Sequence, residues 1–222
     1  MTEKAKPTAT SNTSQSTCHV IHHPVLKHKL THLRDKTTTA HSFRAILEEM
    51  SQLLAYEATR ELKLTPKTVE TPLESTIAES VTDELVLVSV MRAGNGMLNG
   101  MLKILPFATV GHIGIYRDKF IKSTVEYYLR LPTHVKGKRV LLLDPMLATG
   151  DTVCAAIDRL KEFEVGPISV VSILASKPGL ARLAEHHPEV DVFTVSVERE
   201  LDEKGYLRPG LGDAGDRLFD TL

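Results

Sequence analysis

Between Phe43 and Leu62, apolar residues recur at spacings of three and four: Phe43, Ile46, Leu47, Met50, Leu53, Leu54, Ala58 and Leu62. One apolar stripe at that period predicts an amphipathic helix. Ser42 stands where an N-cap hydroxyl is expected, and Pro66 and Pro72 break the pattern beyond it. Leu85–Val90 is apolar without alternation, as in a strand covered on both faces. Met91–Gly96 reads as a turn, and the apolar stretch that follows reads as a helix to Leu105. Ala108–Tyr116 and Glu126–Leu131 predict two strands paired as a hairpin. Val140–Leu143 predicts a buried strand that stops at an acid, with a helix from about Asp151 to Phe163 after it. Ile168–Ala175 is strand-like, Gly179–His186 helical and Val190–Val197 strand-like, while Asp202–Gly215 is dense in Gly, Pro and charge and reads as loop.

Strands that alternate with helices imply an α/β fold, a mostly parallel sheet flanked by helices. Ligands of such sheets sit beyond the carboxyl ends of the strands. Met91–Gly96 and Asp144–Thr152 both fall there and are expected to line one site. Met1–Thr17 is rich in Ser and Thr and nearly devoid of apolar residues, so it reads as a disordered tail ahead of one domain over residues 18–222. A transit peptide ranks below a plain tail, because the segment is short and has no Arg.

Composition narrows the function. The 222 residues are 42% hydrophobic and 25% charged, with a net charge of −1, a balance that speaks against a nucleic-acid partner. No apolar run approaches the ~20 residues of a membrane helix, and no apolar segment near the start resembles a secretory signal. Cys18 and Cys154 make no disulfide framework, which points to a reducing, cytoplasmic location. The histidines at 19, 22, 23, 28 and 32 lack the spacing of a ligand set and read as surface and packing residues. Cys154 reads as a packing residue.

The stretch Val140-Leu-Leu-Leu-Asp-Pro-Met-Leu-Ala-Thr-Gly-Asp-Thr152 carries the strongest chemistry. A buried strand, a small hydroxyl-rich turn and a helix start direct free backbone N–H groups at one point, where an anion is stabilised. Asp144, at the strand end, is placed to accept hydrogen bonds from sugar hydroxyls. The order of residues lacks the Gly-x-x-x-x-Gly-Lys pattern of a triphosphate loop and the Gly-x-Gly-x-x-Gly pattern of a dinucleotide site. A phosphorylated sugar fits best.

Val140–Thr152 resembles the phosphoribosyl diphosphate signature of type I phosphoribosyltransferases, with Pro145 in place of the second acid, the form found in uracil phosphoribosyltransferases. Met91–Gly96 resembles the diphosphate loop of that family, Gly114–Arg117 its second arginine segment, and Gly205–Arg217 its uracil-binding loop. His23–Leu30 and Tyr56–Ala58 fit as well, so the likeness runs from about residue 20 onward. The resemblance implies a phosphoribosyltransferase fold with a β-hairpin arm and a C-terminal base-binding loop. It implies transfer of phosphoribose to uracil, giving UMP and diphosphate.

It also implies roles. Arg92, Arg117 and Asp213 would serve catalysis. Phosphoribosyl diphosphate would meet Arg92, Arg117, Asp144, Pro145, Met146, Leu147, Ala148, Thr149, Gly150, Asp151, Thr152 and Asp213. Uracil would meet the backbone near Leu207 and the run Gly212-Asp213-Ala214. Mg²⁺ would enter through the substrate's oxygens and not through a protein cage. A homodimer or homotetramer is implied, with GTP as effector in some members. Asp151 departs from the more usual Gly, and a carboxylate beside a phosphate is expected to turn away. Arg208 replaces an apolar residue and is expected to face solvent. Two rivals are a nucleotide-binding regulator that binds RNA and an enzyme for a purine base. The charge and the C-terminal loop oppose the first; Pro145 and that loop oppose the second.

Overall fold

A computed structural model describes residues 17–117 and 124–221. The tail expected over residues 1–17 lies outside them except for Thr17, whose amide donates to Asp191 Oδ1 at 3.0 Å and whose carbonyl accepts from Val192. In chain order the elements are β1 (Cys18–Val20), α1 (Pro24–Arg34), α2 (Ala40–Ala58), β2 (Leu64–Glu70), β3 (Ser75–Val81), β4 (Leu85–Met91) and α3 (Asn95–Ile104). There follow β5 (Thr109–Arg117), β6 (Thr124–Arg130), β7 (Arg139–Leu143), β8 (Met146–Leu147), α4 (Asp151–Lys161), β9 (Ile168–Val171) and β10 (Leu174–Ser176). The last are α5 (Lys177–His186), β11 (Asp191–Thr194), β12 (Ser196–Glu198), β13 (Glu200–Leu201), β14 (Leu207–Arg208) and α6 (Ala214–Phe219).

The main sheet has seven strands in the order β1-β11-β9-β7-β4-β5-β6. Every neighbouring pair is parallel except β5–β6, the hairpin, whose register slips between Gly114 and Ile115. The absence of alternation in β4 and β7 now has a cause. Leu85, Leu87, Leu141 and Leu143 point into one core with Phe43, Leu47, Met50 and Leu54 of α2 and Met97 and Met101 of α3. Val86, Val88, Val140 and Leu142 point into a second core with Val153, Ile157 and Leu160 of α4 and Leu183 of α5. A strand with two buried faces needs apolar residues on both.

Several expectations are corrected. Thr39, not Ser42, caps α2, its hydroxyl accepting from the Ser42 amide at 3.3 Å, and the helix ends at Ala58 short of Leu62. Pro66 and Pro72 do not simply break the chain: Pro66 lies in a two-stranded ribbon, β2–β3, which among the described residues meets no further strand to need its missing N–H. Ile168–Ala175 and Val190–Val197 are each two strands. Their second halves, β10 and β12, join β8 in a small parallel sheet at the carboxyl end of the main one. Asp202–Gly215 is not all loop, since β14 pairs with β13 and Ala214 opens α6. Helix α1, entered through Pro24 and capped by the His23 ring, carries buried Leu26, Leu30 and Leu33.

Candidate active site

The two turns at the carboxyl ends of β4 and β7 meet. A Cβ on Gly94 would stand 2.3 Å from the Leu143 carbonyl and 2.6 Å from that of Val90, so only glycine lets the loop after β4 lie across the end of β7. The same loop holds a cis Met91–Arg92 peptide. Its Arg92 reaches the C-terminal segment: Nη2 donates to Asp216 Oδ1 at 2.9 Å and Nη1 to Thr221 Oγ1 at 3.2 Å. The guanidinium is 54% exposed and lies close to Gly215. Bonds from Thr221 and Arg92 hold the Asp216 carboxyl below the usual carboxylate range.

Asp144 caps β7. Its Oδ1 accepts from the Met146 amide at 3.2 Å, and its own amide donates to Val171. Burial, together with the nearby negative charge of Asp213, pushes its carboxyl up to about 6, against a partial opposing pull from the Met146 amide. Asp213 is the N-cap of α6, accepting from the Asp216 amide at 2.9 Å. Two carboxylates from distant parts of the chain thus face one space.

Residues 145–150, the phosphate-type loop, carry the chain from Asp144 to the start of α4. Pro145 and Leu147 turn inward, so they shape the loop and do not present side chains; the Pro145 carbonyl accepts from the amides of Ile173 and Leu174. Met146 and Leu147 form β8 against β10. Gly150, at φ 85°, turns the chain into α4, whose first amides have no intrahelical acceptor. Thr149 Oγ1 accepts from the Asp151 amide at 3.4 Å and donates to Asp151 Oδ2 at 3.1 Å. The Asp151 carboxylate is also paired with Arg182 of α5 at 2.8 Å. Thr152 sits in the first turn of α4. Ala148 is bound through its carbonyl by the Ser176 hydroxyl.

The C-terminal loop closes the site. A Cβ on Gly205, at φ 84°, would stand 3.6 Å from Thr149 Cγ2, which brings this loop against the phosphate-type loop. Leu207 buries its side chain in the core and leaves only backbone to a ligand. Gly210 and Gly212 adopt φ 60° and 80°, and Arg208–Pro209 is cis. Arg208 is exposed and pairs with Asp202 at 3.3 Å. Arg117 ends β5 beside β4, and its side chain lies outside the described residues, as does the turn of the hairpin arm. Cys154, on the buried face of α4, lies in the second core, and burial raises its thiol. Among the described residues no group of His, Cys, Asp and Glu could hold a metal by itself, and no helix is long and apolar enough to cross a membrane.

Residues that sequence reasoning passed over hold the site in shape. Arg34 of α1 makes a two-pronged pair with buried Glu198, at 2.9 and 2.7 Å. Between them they grip Gly210, Arg34 taking its carbonyl at 2.7 Å and Glu198 its amide at 2.9 Å. Arg217 binds the Leu211 carbonyl at 2.8 Å and lies over the Phe43 ring. Glu198 follows the strand-like stretch Val190–Val197, and an acid there was the one visible sign.

A family model described as uracil phosphoribosyltransferase matches residues 20–221. A uracil phosphoribosyltransferase of Myxococcus xanthus is 51% identical over 92% of this chain and 97% of its own length. One of Delftia acidovorans is 49% identical over 93% and 99%. The solved structure of the AQ2163 protein from Aquifex aeolicus superposes with a TM-score of 0.88 at 37% identity, covering 92% of this chain and 99% of that one.

Proposed function

The chain belongs to the uracil phosphoribosyltransferase family, and we propose that its site joins N1 of uracil to the anomeric carbon of 5-phosphoribosyl diphosphate, giving UMP and diphosphate in pyrimidine salvage. The observation that carries this reading is the convergence of Asp144, the α4 entry, Arg92 and the Asp213 segment at the carboxyl end of the sheet. In this reading the α4 entry is the anion cradle, Asp144 the hydroxyl acceptor and Arg92 the cation, with the glycine-rich C-terminal backbone beside them.

The work divides among these groups. The α4 entry holds the 5′-phosphate by amides and dipole. Ionised Asp144 accepts from the ribose hydroxyls. As the bond from the anomeric carbon to the diphosphate breaks, its electron pair leaves with diphosphate, and Arg92 and Arg117 offset the charge that develops. The bond to uracil N1 forms from the opposite face, and the N1 proton is released. The backbone of Leu207 and Gly212–Ala214 reads the alternating acceptor and donor edge of uracil, and the loops exclude water. Bound Mg²⁺, held by substrate oxygens with Asp144 and Asp213 nearby, would supply Lewis-acid polarisation of the diphosphate.

The same proposal covers a cytoplasmic location, self-association as a dimer or tetramer, and GTP as effector. Apolar Leu64, Leu73 and Ile77, exposed on the β2–β3 ribbon, support self-association. Incubation with labelled uracil, phosphoribosyl diphosphate and Mg²⁺ tests the reaction: UMP is expected together with an equal amount of diphosphate, and its absence would refute the reading. Adding GTP to that assay and sizing the protein by light scattering test the rest.

A further inference from the structure

We propose that Arg182 is a positioning residue for the phosphoribosyl ligand, acting by neutralising Asp151 at the entry of α4. The inference rests on the reading of Ala148–Thr152 as the 5′-phosphate site. An acid at that position poses an electrostatic problem, because a carboxylate beside a phosphate dianion repels it. The structure answers it with a residue from another helix. Arg182 Nη2 pairs with Asp151 Oδ1 at 2.8 Å, while Thr149 Oγ1 donates to Oδ2 at 3.1 Å. Both carboxylate oxygens are therefore engaged, and the acid is only 13% exposed.

Helix α5 is built to deliver this arginine. Ser176 caps α5 by accepting from the Gly179 amide at 2.8 Å and uses the same hydroxyl to bind the Ala148 carbonyl. A Cβ on Gly179 would stand 2.3 Å from that carbonyl, and one on Gly150 would stand 3.4 Å from both Cβ and Cδ of Arg182. The start of α5 is thus locked onto the phosphate-type loop, and the aliphatic stem of Arg182 lies along Gly150. The guanidinium supplies a counter-charge to the acid at the entry of α4, which leaves the helix dipole to favour an anion there. Asp151 and Arg182 are thus paired between α4 and α5.

The test is a double-mutant cycle on full-length protein with kcat and KM measured for each substrate. Arg182→Ala should raise KM for phosphoribosyl diphosphate about tenfold, with KM for uracil and kcat within about twofold of wild type. Arg182→Lys, which keeps the charge, should recover most of the loss. Adding Asp151→Gly to Arg182→Ala should bring KM back to that of Asp151→Gly alone, because no acid then needs a partner. A merely structural α5 contact would not be cured by removing the acid. Equal losses with and without Asp151→Gly, or a loss confined to uracil, would overturn the assignment while leaving the enzymatic reading intact. Absence of UMP from the wild-type protein in the same assay would overturn both.

Discussion

Arg92, on the loop after β4, donates to Asp216 of α6 at 2.9 Å, so the loop expected to grip diphosphate is tied to the segment expected to read the base. Residues 124 positions apart share one ion pair at the mouth of the site. Exposed pairs of this kind contribute at most about 1 kcal/mol, so a polyanionic substrate can draw the guanidinium away. Arg92→Ala is expected to lower kcat about a hundredfold, the loss typical of one donor at a developing anion. Arg92→Lys should recover only part of it, because an ammonium cannot offer two parallel donors. A drop in KM for uracil alone would count against this role.

Asp144 makes a pH prediction. Its carboxyl, raised to about 6 by burial and by Asp213, favours the neutral form in the folded protein. The stability it contributes is fully present below the ordinary value of 3.8 and lost as pH rises through about 6. Asp144→Asn should therefore be more stable than wild type at pH 8, by at most about 3 kcal/mol, and equal to it near pH 4. Denaturant melts at both pH values check this. In the proposed function the ionised acid accepts from ribose, so kcat/KM for phosphoribosyl diphosphate should fall below pH 6 in wild type. That limb should vanish in Asp144→Asn, whereas any limb from the substrate's own phosphates persists in both.

Gly94→Ala tests the contact between the two turns. The added methyl meets backbone carbonyls on two strands, which cannot rotate away. A stability loss of about 1–3 kcal/mol is expected, with loss of turnover as Arg92 is displaced from the end of β7. An active, fully stable variant would show that the loop does not depend on this approach.

How much of this was written in the sequence follows from how local each signal is. β4 and β7 were readable because two buried faces leave an unbroken apolar run. The α4 entry was readable because a strand end, Gly150 and the helix start are contiguous. The split of Ile168–Ala175 into β9 and β10 was not, since the break at Ser172 comes from joining a second sheet and changes no residue pattern. Arg34 and Glu198 are 164 positions apart, and nothing local marks either as the other's partner. Nothing in the sequence near Arg182 marks it as a partner of Asp151; the pairing follows from α5 lying against Gly150.

That long-range pair gives its own prediction. Burial pushes the Glu198 carboxyl up, but bonds from Arg34, the Gly210 amide and Ser196 outweigh it and hold the group below the usual range. Glu198→Ala leaves Arg34 without its carboxylate and the Gly210 amide without an acceptor, at a cost of about 3–5 kcal/mol. Glu198→Gln, which keeps an acceptor, should fold and show a raised KM for uracil with KM for phosphoribosyl diphosphate little changed. The reverse pattern would place the pair's influence on the wrong substrate.

The proposed function places the selection of uracil for phosphoribosyl transfer in one site, where Arg92, Asp144 and the Asp213 loop meet. A competition assay tests it most directly: equal concentrations of uracil, cytosine, hypoxanthine and guanine with limiting phosphoribosyl diphosphate and Mg²⁺, the nucleotides then separated by chromatography. UMP is the expected product, matched mole for mole by diphosphate and by uracil consumed. A purine nucleotide as the main product, or diphosphate released without UMP, would contradict it.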